Sequence, residues 1–471
     1  MMKKILSLLF TVFGLYLSLA QSESYGVSLD KLVSLYNSEK YDEIYQNFSP
    51  QMKGAITLKE NRDFFLETSK EFGKIESTEF VSQKSKNERF ALYKGKADKG
   101  FVNILFALNK NNEIDGIDIT PFIEKKTAAN QLSKIPEDYK KILFDYSKTF
   151  PDQTQISIAV IKNGKTSFYG IIRKNDTLKT IDNHQKLFEI GSVTKLFTAT
   201  ILAQLVLEKK LKLEDNVNRF YNFPFKNNIK LSFGMLANHS SGLYRIPKNL
   251  EENIEENNPY KNYAADKLED YLQNSLILEN ASGKNYGYSN LAFGLLGFTM
   301  AIEEKTTFQK LLQKRIFDKF GMTNSFTNVT FAEKDGKLIK GLDKDGKETS
   351  QWDFDALSGC GSAVSSVQDL AGFSLAQFNF SNKDLQLTQI PTFTKDKKTK
   401  VGLAWHIYQD DSQRKLLWHN GGTGGYSSSL LLNPKTKNGV VVLSNVATGN
   451  LDHDNIEKIA FDILKVLDVR K

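Results

Sequence analysis

Phe188-Glu189-Ile190-Gly191-Ser192-Val193-Thr194-Lys195 opens a long helical pattern and places an amine one helical turn from a hydroxyl. On an α-helix, residues i and i+3 project from one face with Cβ atoms roughly 5–6 Å apart, so Lys195 can reach the Ser192 hydroxyl without any loop having to close. Ser192 is expected in the first turn, where free N–H groups and the positive end of the helix dipole favour negative charge. Attack on a carbonyl generates such a charge. The pair therefore reads as a lysine-activated serine nucleophile, against the plain alternative of a serine and a lysine sharing a solvent-facing helix.

Two further constellations strengthen that reading. Tyr288-Ser289-Asn290 stands on a turn before the small-residue helix Leu291-Ala292-Phe293-Gly294-Leu295-Leu296-Gly297. Trp418-His419-Asn420-Gly421-Gly422-Thr423-Gly424-Gly425-Tyr426 lies between two strand-like runs, with glycines where a substrate backbone needs close approach. In the order S-x-x-K, Y-x-N, H-x-G, the set resembles that of the penicillin-recognising serine hydrolases: class C β-lactamases, serine D-alanyl-D-alanine peptidases and related esterases. Residues 229–243, ending in His239-Ser240-Ser241-Gly242-Leu243, resemble that family's helix and H-x-S-G-L turn. Gly359-Cys360-Gly361-Ser362 resembles its glycine-rich turn before a helix carrying Asp369-Leu370. The resemblance covers about residues 136–471.

The resemblance implies a fold and a set of roles. The fold is α+β: an antiparallel sheet flanked by terminal helices, with a helical subdomain inserted and the active site in the groove between them. Ser192 is the nucleophile. Lysine amines and phenols, with reference pKa values near ~10.4 and ~10, keep their protons at neutral pH, so Lys195 and Tyr288 are expected to share the work as a coupled base. The Ser192 and Gly422 N–H groups would form the oxyanion hole, Asn290 would bind a substrate amide, and His419, Gly421 and Gly422 would line the substrate site. Family members that recognise a carboxylate usually begin the third motif with lysine. His419 stands there instead, and a neutral histidine implies a preference for uncharged esters or amides.

Composition fits an exported enzyme. Residues 1–20 carry Lys3 and Lys4, an apolar run from Ile5 to Leu19, and Ser18-Leu19-Ala20 before Gln21, the pattern of a cleaved signal peptide. The run is too short for a membrane anchor and has no cysteine for lipid attachment, so a periplasmic or secreted protein that is not integral to the membrane is expected. The chain of 471 residues has a formal charge of +8 spread along its length, which suits solvated faces better than nucleic-acid binding. Its one cysteine, Cys360, lies between glycines and reads as a buried small residue, not a nucleophile. His184, His239, His406, His419 and His453 are scattered without metal-ligand spacing, so neither a metal nor a cofactor is expected.

The rest of the chain divides at a change of pattern. Leu29, Leu32, Val33 and Tyr36, then Tyr41, Ile44, Tyr45 and Phe48, repeat at helical spacing, and Thr57 to Glu60 forms a capping box before a third helix. From Lys74 to Phe122 the pattern alternates as strands do. Residues 21–123 are thus expected to be a small helix-then-sheet domain. They resemble the cone-shaped α+β modules that precede some bacterial serine hydrolases. Residues 124–135 read as a linker and 136–471 as the hydrolase domain, beginning with a helix from Pro136 and a hairpin turning at Asn163-Gly164. The expected function is hydrolysis, through an acyl-enzyme, of an amide or ester related to peptidoglycan stems or D-amino-acid compounds. The competing reading is a non-catalytic envelope-binding or sensing protein that keeps the fold.

Overall fold

The computed structural model describes residues 25–83, 90–122, 126–251, 254–255, 257–410 and 414–469. The expected leader, residues 1–20, lies outside the described residues. The chain forms two compact units, residues 1–125 and 126–471.

The smaller unit is helix-then-sheet. A helix at 25–37 is followed by Tyr41–Gln46, Pro50–Ala55 and Leu58–Phe72. The last begins at the capping box: Thr57 Oγ1 accepts the Glu60 N–H at 3.2 Å, and Glu60 Oε2 accepts the Thr57 N–H at 2.6 Å. Four strands, Ile75–Gln83, Phe90–Ala97, Gly100–Leu108 and Ile114–Pro121, make an antiparallel meander. Leu29, Leu32, Tyr36, Ile44 and Phe65 from the helices meet Ala91, Val102, Ile104 and Phe106 from the sheet in one core. The alternation along Phe90–Ala97 marks the face that is covered.

In the larger unit a ten-stranded sheet is buried on both faces along its central strands. Its spatial order is Phe393–Thr394, Thr399–Val401, His406–Gln409, Lys415–Gly422, Ser427–Asn433, Asn438–Ser444, Gln155–Lys162, Lys165–Lys174, Thr177–Ile181 and Ala129–Gln131. Every pairing is antiparallel except the last. Ile156, Ile158, Val440 and Val442 point to one face, where they pack on Leu143 of the helix Glu137–Ser147 and on Ile456, Ile459 and Ile463 of the helix Asp454–Val469. Ala159, Ile161, Val441 and Leu443 point to the other, into the core of the inserted helical subdomain. Because both faces are covered, Ser427–Asn433 and Asn438–Ser444 are buried at every position and their sequences show no polar alternation. The expected α+β arrangement is what the chain adopts.

Three local features differ from the sequence reading or refine it. Asn163 and Gly164 turn the first hairpin with φ of 49° and 76°, as a two-residue turn requires. A second such turn, Asn175-Asp176 with φ of 51° at both residues, adds the strand Thr177–Ile181, which carried no Gly signal in sequence. Residues 126–135, read as part of a linker, belong instead to the larger unit. Ala129–Gln131 pairs with Thr177–Lys179, and Ala128, Leu132 and Ile135 are buried in the core beneath the terminal helices. Among the described residues, no helix is long and apolar enough to cross a membrane.

Candidate active site

Ser192 stands in a 3₁₀ turn, Gly191–Val193, that runs straight into the helix Thr194–Leu207. That helix is apolar on nearly every side and is enclosed along most of its length, so it is a fixed base for the turn. Gly191 takes a φ of 48°, and a Cβ there would lie 2.6 Å from Gly422 N. Lys195 is completely buried and its Nζ is within hydrogen-bond distance of three groups: Ser192 Oγ at 2.9 Å, Asn290 Oδ1 at 2.8 Å and the Cys360 carbonyl at 2.8 Å. A neutral amine fits the same three partners. Its two N–H groups serve Asn290 and Cys360, and its lone pair then faces the Ser192 hydroxyl.

Tyr288 and Asn290 reach this centre from the start of the helix Asn290–Glu303, which Ser289 caps by accepting the Ala292 N–H at 2.9 Å. The Tyr288 ring lies beside the Lys195 side chain, with Nζ 5.0 Å from its centroid. Asn290 is held at both ends, since its Nδ2 also donates to the Tyr260 hydroxyl at 2.6 Å. One Nδ2 proton remains for a substrate. The turn at 239–245 braces this segment: Gly287 N–H donates to the His239 carbonyl, Ser289 Oγ to the Tyr244 carbonyl, and Asn290 N–H to the Arg245 carbonyl, at 2.7–2.8 Å.

The strand Lys415–Gly422 brings the third motif alongside. A Cβ on Gly421 would lie 2.1 Å from the Ile190 carbonyl and 2.8 Å from Ser192 N, so only glycine allows the two backbones to touch. Ser428 Oγ fastens the contact by donating to the Ile190 carbonyl at 2.9 Å. Thr423 N–H donates to the Tyr426 carbonyl at 2.9 Å, which makes Gly422–Ser427 a non-hydrogen-bonded pair. The Gly422 N–H therefore points out of the sheet edge beyond His406–Gln409, on the side of the Ser192 turn.

His419 is the exception among the expected site residues. Trp418 and Asn420 line the cleft and face the Asp454–Val469 helix, Asn420 Nδ2 donating to Glu457 at 3.0 Å. Strand alternation sends His419 to the opposite face, where it is wholly enclosed, its ring 5.6 Å from that of His406 and its Nδ1 bonded to the Asn420 carbonyl at 2.7 Å. His419 lies on the Lys195 side of the strand and does not line the open cleft. Burial first, then His406 and Lys195, hold its pKa well below the ordinary histidine value, so it is a neutral wall component. His239, packed against the Tyr288 ring at 4.4 Å between centroids, is held neutral mainly by burial in the same way.

The cleft holds about 600 Å³ and is lined by Ser192, Tyr288, Asn290, Gly421 and Gly422 together with groups the sequence reading did not single out. Tyr260, Trp352 and Phe354 form an aromatic wall, the rings of Tyr260 and Phe354 stacked at 4.7 Å. Arg245 adds a guanidinium 5.3 Å from the Tyr288 ring centroid. Glu189, three residues before the nucleophile, is enclosed with Oε1 accepting the Trp352 N–H at 2.8 Å, and burial pushes its pKa up to about 7. Burial likewise pushes the Cys360 thiol up to about 11, as befits an inert packed side chain whose contribution is its carbonyl. Among the described residues, no group of three or more His, Cys, Asp or Glu side chains converges as a metal site would require.

Residues 148–465 match the family described as Beta-lactamase, and residues 30–117 match a family described as a protein of unknown function (DUF3887). A beta-lactamase of Psychrobacter immobilis is 25% identical over 66% of this chain and 82% of its own length. One from Pseudomonas fluorescens is 26% identical over 67% of this chain and 94% of its own. A solved beta-lactamase/D-alanine carboxypeptidase from Yersinia pestis, complexed with citrate, superposes with a TM-score of 0.60 at 21% identity, covering 70% of this chain and 97% of that one. That last likeness is one of fold.

Proposed function

Because this chain belongs to the beta-lactamase family of serine hydrolases, we propose that it hydrolyses an amide or ester through an acyl-enzyme on Ser192, with substrates related to peptidoglycan stems or D-amino-acid compounds. The observation that carries the proposal is the position of Lys195 Nζ, 2.9 Å from Ser192 Oγ and held by two further acceptors that leave one tetrahedral direction for the hydroxyl. In the first step Ser192 Oγ attacks the carbonyl carbon as its proton passes to the Lys195 amine, with the Tyr288 phenol placed beside that amine to take part in relaying it to the leaving group. The Ser192 and Gly422 N–H groups supply donors for the oxyanion. Water then reverses the sequence and frees Ser192. The lysine-flanked apolar run at residues 3–19 supports export to the envelope, where such substrates occur.

A fluorophosphonate probe tests this directly. The unaltered protein should be labelled at Ser192 and Ser192→Ala should not, with its thermal unfolding little changed. An adduct found on another residue by mass spectrometry would remove the assignment.

A further inference from the structure

We propose that Arg245 and Lys395 form an anion subsite in the Ser192 cleft, so that the substrate carries a carboxylate which docks against them. Both side chains line the cleft, and both are exposed. The Arg245 guanidinium lies 5.3 Å from the centroid of the Tyr288 ring, and Lys395 Nζ lies 4.8 Å from that of Tyr286. Neither cation has an acidic partner or a side-chain hydrogen bond among the described residues. A guanidinium resting on an aromatic face keeps its N–H edge free, and that edge matches the two oxygens of a carboxylate.

The surroundings make this arrangement directional. Asp454 and Glu457 line another part of the same cleft, on the helix Asp454–Val469, and would repel a carboxylate placed there. The third motif itself offers no competing cation, since His419 is enclosed and neutral. Arg245 is also tied to the reacting groups through backbone, because its carbonyl accepts the Asn290 N–H at 2.8 Å, and Asn290 in turn holds Lys195.

The inference rests on the hydrolase reading, and the experiment separates the two. Two phenyl esters with the same acyl group are compared, one bearing a carboxylate on the leaving-group ring and the other its methyl ester. The unaltered protein should favour the carboxylate ester in kcat/KM. Arg245→Gln should lower the ratio between the two substrates roughly tenfold or more, chiefly through KM, as expected for loss of a charged hydrogen-bonding partner. Arg245→Lys should restore part of the ratio, Lys395→Gln should lower it further when combined with Arg245→Gln, and added salt should shrink it.

In parallel, binding of the carboxylate ester to Ser192→Ala is followed by the fluorescence of Trp352 and Trp418, which line the cleft. Acylation with a substrate ratio unaffected by Arg245→Gln, or an equal fall on both esters, overturns the anion subsite while leaving the hydrolase reading intact. Binding that depends on Arg245 without acylation by either ester overturns the hydrolase reading and supports the subsite.

Discussion

Replacing Glu189 by glutamine is expected to remove a pH-dependent cost from the hydrolase unit. The carboxyl is enclosed beside the nucleophile turn, and burial moves its pKa from 4.5 to about 7, against the Trp352 N–H and the nearby Thr423 hydroxyl, which favour the charged form. In the unfolded chain the group titrates near its ordinary value. Between pH 4.5 and about 7 the folded protein therefore holds a proton that the unfolded chain has released, and stability falls as pH rises through that window. Below it both states are protonated and nothing is lost; above it both are ionised and the full cost is present.

At ~1.36 kcal/mol for each tenfold change in proton affinity, the cost reaches about 3 kcal/mol. Glutamine keeps an acceptor for Trp352 and cannot ionise. The stability advantage of Glu189→Gln over the unaltered protein should accordingly grow by about 3 kcal/mol between pH 4.5 and pH 8. Urea unfolding followed by tryptophan fluorescence measures it for one unit alone, since the three tryptophans, Trp352, Trp405 and Trp418, all lie within residues 126–471. An advantage that stays flat across that range refutes the reasoning.

Two further outcomes follow from the packing. Gly421→Ala should cut acylation of Ser192 by a factor of ten or more while the unfolding transition persists, because the new methyl would lie 2.1 Å from the Ile190 carbonyl and 2.8 Å from Ser192 N; full activity in a burst assay would contradict the close approach. His419→Lys should destabilise the fold by several kcal/mol without improving turnover of carboxylate substrates, because it places a charge in a fully enclosed site; a stable variant with a gain on such substrates would show that the side chain reaches the cleft.

The parts of the site that were legible in sequence are those whose geometry is local. Ser192 and Lys195 are one turn apart on a single element, and Tyr288 and Asn290 share one helix start, so their spacing already determines their proximity. The Cys360 carbonyl was not legible, because any residue carries one and it meets Lys195 across 165 positions of chain. Arg245 was missed for a related reason: it follows a recognisable turn, but only the folded bracing of 239–245 against 287–290 places its side chain over Tyr288. The edge strand Ala129–Gln131 escaped because three polar-flanked residues on a sheet margin need no alternation to pair.

His419 shows where motif reading reaches its limit. A strand has a side-chain period of two, so one position decides between the cleft and the core, and the neighbours of His419 in sequence, Trp418 and Asn420, are the ones that face the cleft. The strand still contributes to the site, but through backbone: the glycines admit the Ser192 turn and turn an N–H towards it. Charge recognition then has to come from an element on the other side of Tyr288. The exposed guanidinium of Arg245, resting on that ring with no acid paired to it among the described residues, is the group so placed. Proton handling by buried groups and anion capture by exposed ones are thus divided between two sets of residues, which is why substitutions at Arg245 and at His419 should separate specificity from stability.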